Sequence, residues 1–149
     1  MNKHYKLRIQ GAKLLASMSP CPRGQVGAVI FDPSSYAVVA DGYNGPPRKG
    51  GKLCGGDTCT RTCLSGTEIQ IGCHHAEMNA LCNAARHGAS TLGMVMAITC
   101  EPCLLCAKLI HHAGIKTVIY VPGGYKKSGT KYLDKHGIKL LHTDTSSRN

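Results

Sequence analysis

Residues 94 to 121 run MVMAIT, then CEPCLLCAKLIHHAG, then IKTVIYV: two short strand-like runs on either side of one helical stretch. A strand, a helix and a strand in so short a span form a βαβ unit. Its two strands must be parallel, because the helix carries the chain back to the end from which the first strand started. Pro102 in the first helical turn and Gly114 just past the last one mark the helix ends. A proline gives up an amide that has no partner there, and a glycine tolerates the reversed backbone of a helix stop.

The rest of the chain reads around this unit. Residues 3 to 18 have helical spacing, with Leu7, Leu14, Leu15 and Met18 as the expected apolar face, and SPCP stops the helix. QVGAVIFD and YAVVADGYN, joined by the turn chemistry of DPSS, predict a hairpin over residues 25 to 43. Residues 44 to 72 are rich in Gly, Cys, Pro and Thr, and a loop of that length needs something to hold it. From His75, HAEMNALCNAARHG predicts a helix with Met78, Leu81 and Ala85 as its apolar stripe and Gly88 as its stop. A short helix near 130 to 136 and a last strand, IKLLHT, follow. The expectation is one α/β layered domain over residues 1–149, built on a mixed five-stranded sheet; 149 residues suit a single core.

Composition narrows the function classes. An apolar content of 42% excludes a disordered chain. No apolar run approaches the roughly 20 residues that span a bilayer. The opening MNKHYKLRIQ lacks an apolar signal core, which predicts a cytoplasmic protein. Eighteen Lys and Arg against eight Asp and Glu leave a net charge of +10. These cations are scattered and Trp is absent, which weighs against nucleic acid and suits small phosphorylated ligands or solubility equally. Nine cysteines in a reducing compartment point to metal binding or reactivity before disulfides. Cys82 and Cys100 have apolar neighbours and are expected to be small core residues.

Cys103 and Cys106 stand three residues apart at a helix start, so both sulfurs share one face. The partial positive charge of a helix N-terminus favours thiolates, the form that binds metal. His75 opens another helix and adds a neutral imidazole. One nitrogen and two sulfurs suit zinc and leave a fourth position for water. Glu77, two residues on, is not needed as a ligand and is placed to move protons beside that position. His74 is expected to face solvent.

H-A-E at 75–77 followed by P-C-x-x-C at 102–106 is the signature of the zinc nucleobase deaminases. CPRGQVGAVI, GYNGPP, CHHAEMNAL, EPCLLCAKLI, AGIKTVIYV and GGY occur in the order found in deoxycytidylate (dCMP) deaminases, and the chain resembles that family from about Cys21 to Tyr125. The resemblance implies a three-layer α/β/α cytidine-deaminase-like fold. It also implies hydrolysis of dCMP to dUMP and ammonia, which supplies dTTP synthesis, with Glu77 as proton shuttle and His75, Cys103 and Cys106 on a catalytic zinc.

Arg23, Asn44, Ala76 and Tyr125 match substrate-binding positions, and Lys126 and Lys127 add positive field. Asn44 equally suits a turn, Arg23 a solvated loop and Tyr125 a half-buried loop aromatic. Such enzymes are commonly hexamers activated by dCTP and inhibited by dTTP, with Mg2+ on the triphosphate. Gly42, Tyr43, Asn44, Gly45, Arg48 and Arg86 match the effector side. Arg86 also suits a solvated helix end, where a cation meets the dipole favourably. Four of Cys21, Cys54, Cys59, Cys63 and Cys73 are implied as ligands of a second, structural zinc. The alternatives are a tRNA adenosine deaminase, a free cytidine deaminase, and a zinc module that binds nucleic acid without catalysis. GYNGPP and the cysteine-bearing loop argue against the first, and Glu77 beside an open-ligand zinc argues against the last.

Overall fold

In the computed structural model the described residues are 1–46, 73–123 and 129–143. They form α1 (Lys3–Ala16), β1 (Gly27–Phe31), β2 (Val38–Tyr43), α2 (Ala76–Arg86), β3 (Val95–Ile98), α3 (Leu104–His112), β4 (Thr117–Tyr120), α4 (Thr130–Lys135) and β5 (Lys139–His142). The strands make one sheet in the order β2-β1-β3-β4-β5. β1 runs antiparallel to both β2 and β3, so residues 25 to 43 are the expected hairpin. β3 and β4 are parallel, in register from Val95 opposite Thr117 to Ile98 opposite Tyr120. β5 is parallel to β4 after a second crossover through α4.

The two-residue period of the strands sorts their side chains into two cores. Ala28, Ile30, Met96, Ile98 and Val118 face one side, where Ala76 and Ala80 of α2, Ala107 and Ile110 of α3 and Leu133 of α4 cover them. Val29, Phe31, Val95, Ala97 and Ile119 face the other, under Ile9 and Ala12 of α1. This is the expected α/β/α layering, with one helix on one face and three on the other.

Two helices bury a different face from the one their large apolar residues mark. In α1, Ile9, Ala12 and Ala16 are buried, while Leu7, Leu14 and Met18 are more than half exposed. In α2 the buried residues are Ala76, Glu77, Ala80 and Ala84; Met78 and Leu81 are half-buried and Ala85 is exposed. The cause is close approach. A Cβ on Gly27 would overlap the Ala12 carbonyl, so α1 lies with its backbone almost against β1, and only methyl-sized side chains fit between them. α2 lies as closely on β2 at Gly42, where a Cβ would stand 2.6 Å from Ala80 N, and Cys82 is exposed on the helix's outer side, contrary to its expected place in the core. Cys100 is half-buried against the α2–α4 side of the sheet. Among the described residues no helix is long and apolar enough to cross a membrane.

Candidate active site

Because β3 and β4 are parallel, α3 starts at the carboxyl edge of the sheet, where α/β folds tend to place ligands. Cys103 is the N-cap of α3, with an extended backbone, and its sulfur accepts from the Cys106 amide at 3.5 Å. Cys106 follows in the first turn and is fully buried. His75 is the N-cap of α2, also extended, and its ring makes no capping bond, which leaves it pointing at the thiols. His75 Nδ1 lies 3.5 Å from Cys103 Sγ and 3.4 Å from Cys106 Sγ. The three donor atoms sit within 4.8 Å of one another, and they are the one such group of three or more metal-ligating residues among the described residues.

The electrostatics suit a cation. The Cys103 thiol is pulled down to about 4, first by the hydrogen bond from the Cys106 thiol and then by His75 and the Cys106 amide. Cys106 is held well above the ordinary thiol range, because it donates its proton to Cys103 and is buried beside Glu77. One thiolate, a second thiol ready to lose its proton, and one imidazole fit zinc and leave a coordination place open.

Glu77 is 2% exposed. Burial raises its pKa above 4.5, partly offset by its own helix-start amide and by His75. Cys100 is a residue that sequence reasoning assigned to packing alone. Its thiol is pushed up by burial and then by the charges of Glu77 and Cys103, so it stands beside the site. The signal was present in CEPC, which repeats the C-x-x-C spacing one step earlier.

The substrate-side candidates divide. Ala76 is fully buried at the first residue of α2. Asn44 is 8% exposed; its Oδ1 accepts from Val26 N at 2.7 Å and its Nδ2 donates to Gly24 O at 2.9 Å. It therefore ties down the loop that carries the exposed Arg23. Gly123 O accepts from Glu101 N at 3.2 Å and Gly129 N donates to Pro102 O at 2.7 Å, so both flanks of residues 124–128 are fixed to the turn that leads into Cys103. A side chain on Gly129 would meet Cys103 O at 2.6 Å, which keeps α4 against that turn.

On the outer side of α2, Tyr43, Gly45, His74, Asn79, Asn83 and Arg86 help line a groove of about 770 Å³. His74 is exposed, as expected, and its backbone pairs with Gly45 in an isolated antiparallel bridge. Gly42 is buried. Cys21 carries a free thiol; Cys73 is disulfide-bonded, contrary to its expected role as a ligand of a second zinc, because a sulfur in a disulfide is not a thiolate. Arg48, Cys54, Cys59, Cys63, Tyr125, Lys126 and Lys127 lie outside the described residues.

Residues 2–122 match the family model of the cytidine and deoxycytidylate deaminase zinc-binding region. ComE operon protein 2 of Bacillus subtilis is 40% identical over 108 residues, covering 72% of this chain and 53% of that protein. Deoxycytidylate deaminase of Schizosaccharomyces pombe is 40% identical over 136 residues, covering 87% of this chain and 38% of the relative. The chain thus spans about half or less of these two relatives. The crystal structure of dCMP deaminase from cyanophage S-TIM5 in complex with dCMP and dUMP superposes with a TM-score of 0.77 at 28% identity, over 96% of this chain and 99% of that one.

Proposed function

Because the chain belongs to the cytidine and deoxycytidylate deaminase zinc-binding family, we propose that it hydrolyses dCMP to dUMP with release of ammonia, residues 1–149 acting as one deaminase domain. The observation that carries this reading is Glu77, a buried carboxyl beside a converging His75, Cys103 and Cys106. The relatives named deoxycytidylate deaminase, and the dCMP and dUMP bound in the cyanophage enzyme, support the choice of nucleotide.

His75 Nδ1 and the sulfurs of Cys103 and Cys106 would hold zinc, which would supply a Lewis acid able to bring the pKa of a water near 7. Glu77 takes a proton from the attacking water and delivers it to ring N3 as the hydroxyl oxygen adds at C4. It then takes the proton of the new C4 hydroxyl and carries it to the 4-amino nitrogen, so that the C4 carbonyl forms as the C4–N bond breaks and ammonia leaves. Burial raises the proton affinity of the Glu77 carboxyl, which suits a group that must both take and give a proton. Ala76 and Tyr125 are assigned to the nucleotide by their match to the family's substrate-binding positions. Arg23 meets the phosphate from the loop that Asn44 ties down, with Lys126 and Lys127 adding to the field.

The finer reading extends to regulation. The groove beside Tyr43, Gly45 and Arg86 has the volume of a ligand site, and Gly42, Asn44 and Arg48 complete the effector set. dCTP with Mg2+ activates there and dTTP inhibits, in a cytoplasmic hexamer that supplies dTTP synthesis. With its sulfurs reduced, four of Cys21, Cys54, Cys59, Cys63 and Cys73 hold a structural zinc.

The test is an ammonia-release panel of cytidine, dCMP, dCTP and a tRNA anticodon stem, each with and without dCTP or dTTP. dCMP is expected to lead, with sigmoidal rates shifted by the triphosphates. A faster rate on cytidine or on the tRNA stem contradicts the substrate, and hyperbolic kinetics unmoved by either triphosphate contradict the regulation. Elemental analysis should find two zincs per chain; one zinc rejects the structural site.

A further inference from the structure

α2 carries His75 at its N-cap and Glu77 in its first turn, so the seat of this helix decides where both side chains stand. Its buried face is lined by Ala76, Ala80 and Ala84. Apolar burial is non-directional, and a row of methyl groups distinguishes poorly between one axial position and the next. Something else must set the register.

Three contacts with β2 do so. At the crossing point Gly42 has no side chain; a Cβ there would stand 2.6 Å from Ala80 N and 2.8 Å from Ala76 O. On either side of Gly42 the helix reaches down with an amide. Asn79 Nδ2 donates to Tyr43 O at 2.8 Å, and Asn83 Nδ2 donates to Asp41 O at 2.7 Å. The acceptors are as informative as the donors. β2 is an edge strand. Asn44 N bonds Val26 O, so the alternation of an antiparallel pair turns the carbonyls of Asp41 and Tyr43 away from β1. Two asparagines one helical turn apart bond two carbonyls two residues apart on the strand. A slip of one residue along the helix axis, about 1.5 Å, would misplace both bonds together.

We propose that Asn79 and Asn83 are positioning residues for the deamination: their paired bonds to the β2 edge fix the height and rotation of α2, and so place His75 and Glu77 against Cys103 and Cys106 on α3. The kinetic consequence rests on the deaminase reading; the consequence for zinc affinity does not.

Asn79→Asp and Asn83→Asp keep the side-chain volume and remove the amide donor. Zinc affinity is measured for each by competition with a chelating dye, alongside kcat and KM for dCMP and the Tm. Asn83→Gln keeps an amide donor but carries it on a side chain one methylene longer. Ala84→Gly weakens the same helix without touching either bond. Both Asp variants should lose about tenfold in zinc affinity, as when a group orienting a ligand is removed. They should also lose about tenfold or more in kcat, with KM within about twofold. Asn83→Gln, whose donor is retained but displaced, should fall between wild type and Asn83→Asp, and Ala84→Gly should keep wild-type zinc affinity despite a lower Tm.

Asp variants with wild-type affinity and kcat overturn the proposal. So does an Ala84→Gly protein whose affinity falls as theirs does, because that is the signature of a merely structural role. If an Asp variant does not fold, the Ala variant at that position is judged by the same outcomes. A wild-type protein that binds zinc and leaves dCMP untouched sinks the deaminase reading, and the zinc titrations still decide the role of the asparagines.

Discussion

Cys103 Sγ and Cys106 Sγ converge on one ring nitrogen, His75 Nδ1, at 3.5 Å and 3.4 Å. Cys103 is drawn down to about 4 and Cys106 is driven up. The thiolate ultraviolet absorbance of the metal-free protein should therefore show one low-titrating thiolate at neutral pH, lost as pH falls through about 4. Cys103→Ser should remove it. The sign follows from linkage. The folded value lies below the ordinary 9.0, so this contribution to stability is complete above 9.0 and disappears as pH falls to the folded value. A cysteine pair silent until pH 8 contradicts the account.

Glu77 has the opposite sign. Its carboxyl titrates above 4.5 in the fold because burial penalises the charged form. Between 4.5 and the folded value the native state holds the extra proton, so stability falls as pH rises through that window. In the metal-free protein Glu77→Gln should flatten this loss and raise Tm at neutral pH, measured by thermal unfolding from pH 4 to 8. A variant less stable than wild type at every pH contradicts it.

The glycines of the α1 side should separate by sign. A Cβ on Gly11 meets nothing within 4 Å, and alanine suits a helix interior better by about 0.5–1 kcal/mol. On Gly27 the Cβ would overlap the Ala12 carbonyl and stand 2.8 Å from Ala16 N, a backbone clash costing roughly 1–3 kcal/mol. Denaturant unfolding should place Gly11→Ala above wild type and Gly27→Ala below it.

Asn44→Ala strips Val26 N and Gly24 O of their side-chain partners. A loss of about 1–3 kcal/mol is expected, because a buried amide is left unsatisfied. If Arg23 meets the phosphate, KM for dCMP should rise more than kcat falls. Unchanged KM would assign Asn44 to the turn alone.

Much of this molecule was legible in its sequence. The βαβ unit stood out because Pro102 and Gly114 mark the helix ends and two strand-like runs flank them. His75, Cys103 and Cys106 were readable from residue type and spacing, and their side chains do converge. The buried helix faces were not legible. Leu7, Leu14 and Met18 outrank Ala12 and Ala16 in hydrophobicity, but helix and sheet approach so closely at Gly27 that only small residues fit. Nothing in the sequence singled out Asn79 and Asn83. Their partners are edge carbonyls whose direction depends on strand pairing, which no local pattern reveals.

The central claim is that Glu77 moves the protons while His75, Cys103 and Cys106 hold the metal. It is tested most directly by zinc content and dCMP turnover measured together on Glu77→Ala. The account predicts a full zinc complement at the His75–Cys103–Cys106 site and a loss of turnover of at least about 10²–10⁴-fold. A Glu77→Ala protein that still releases ammonia from dCMP at the wild-type rate would contradict it.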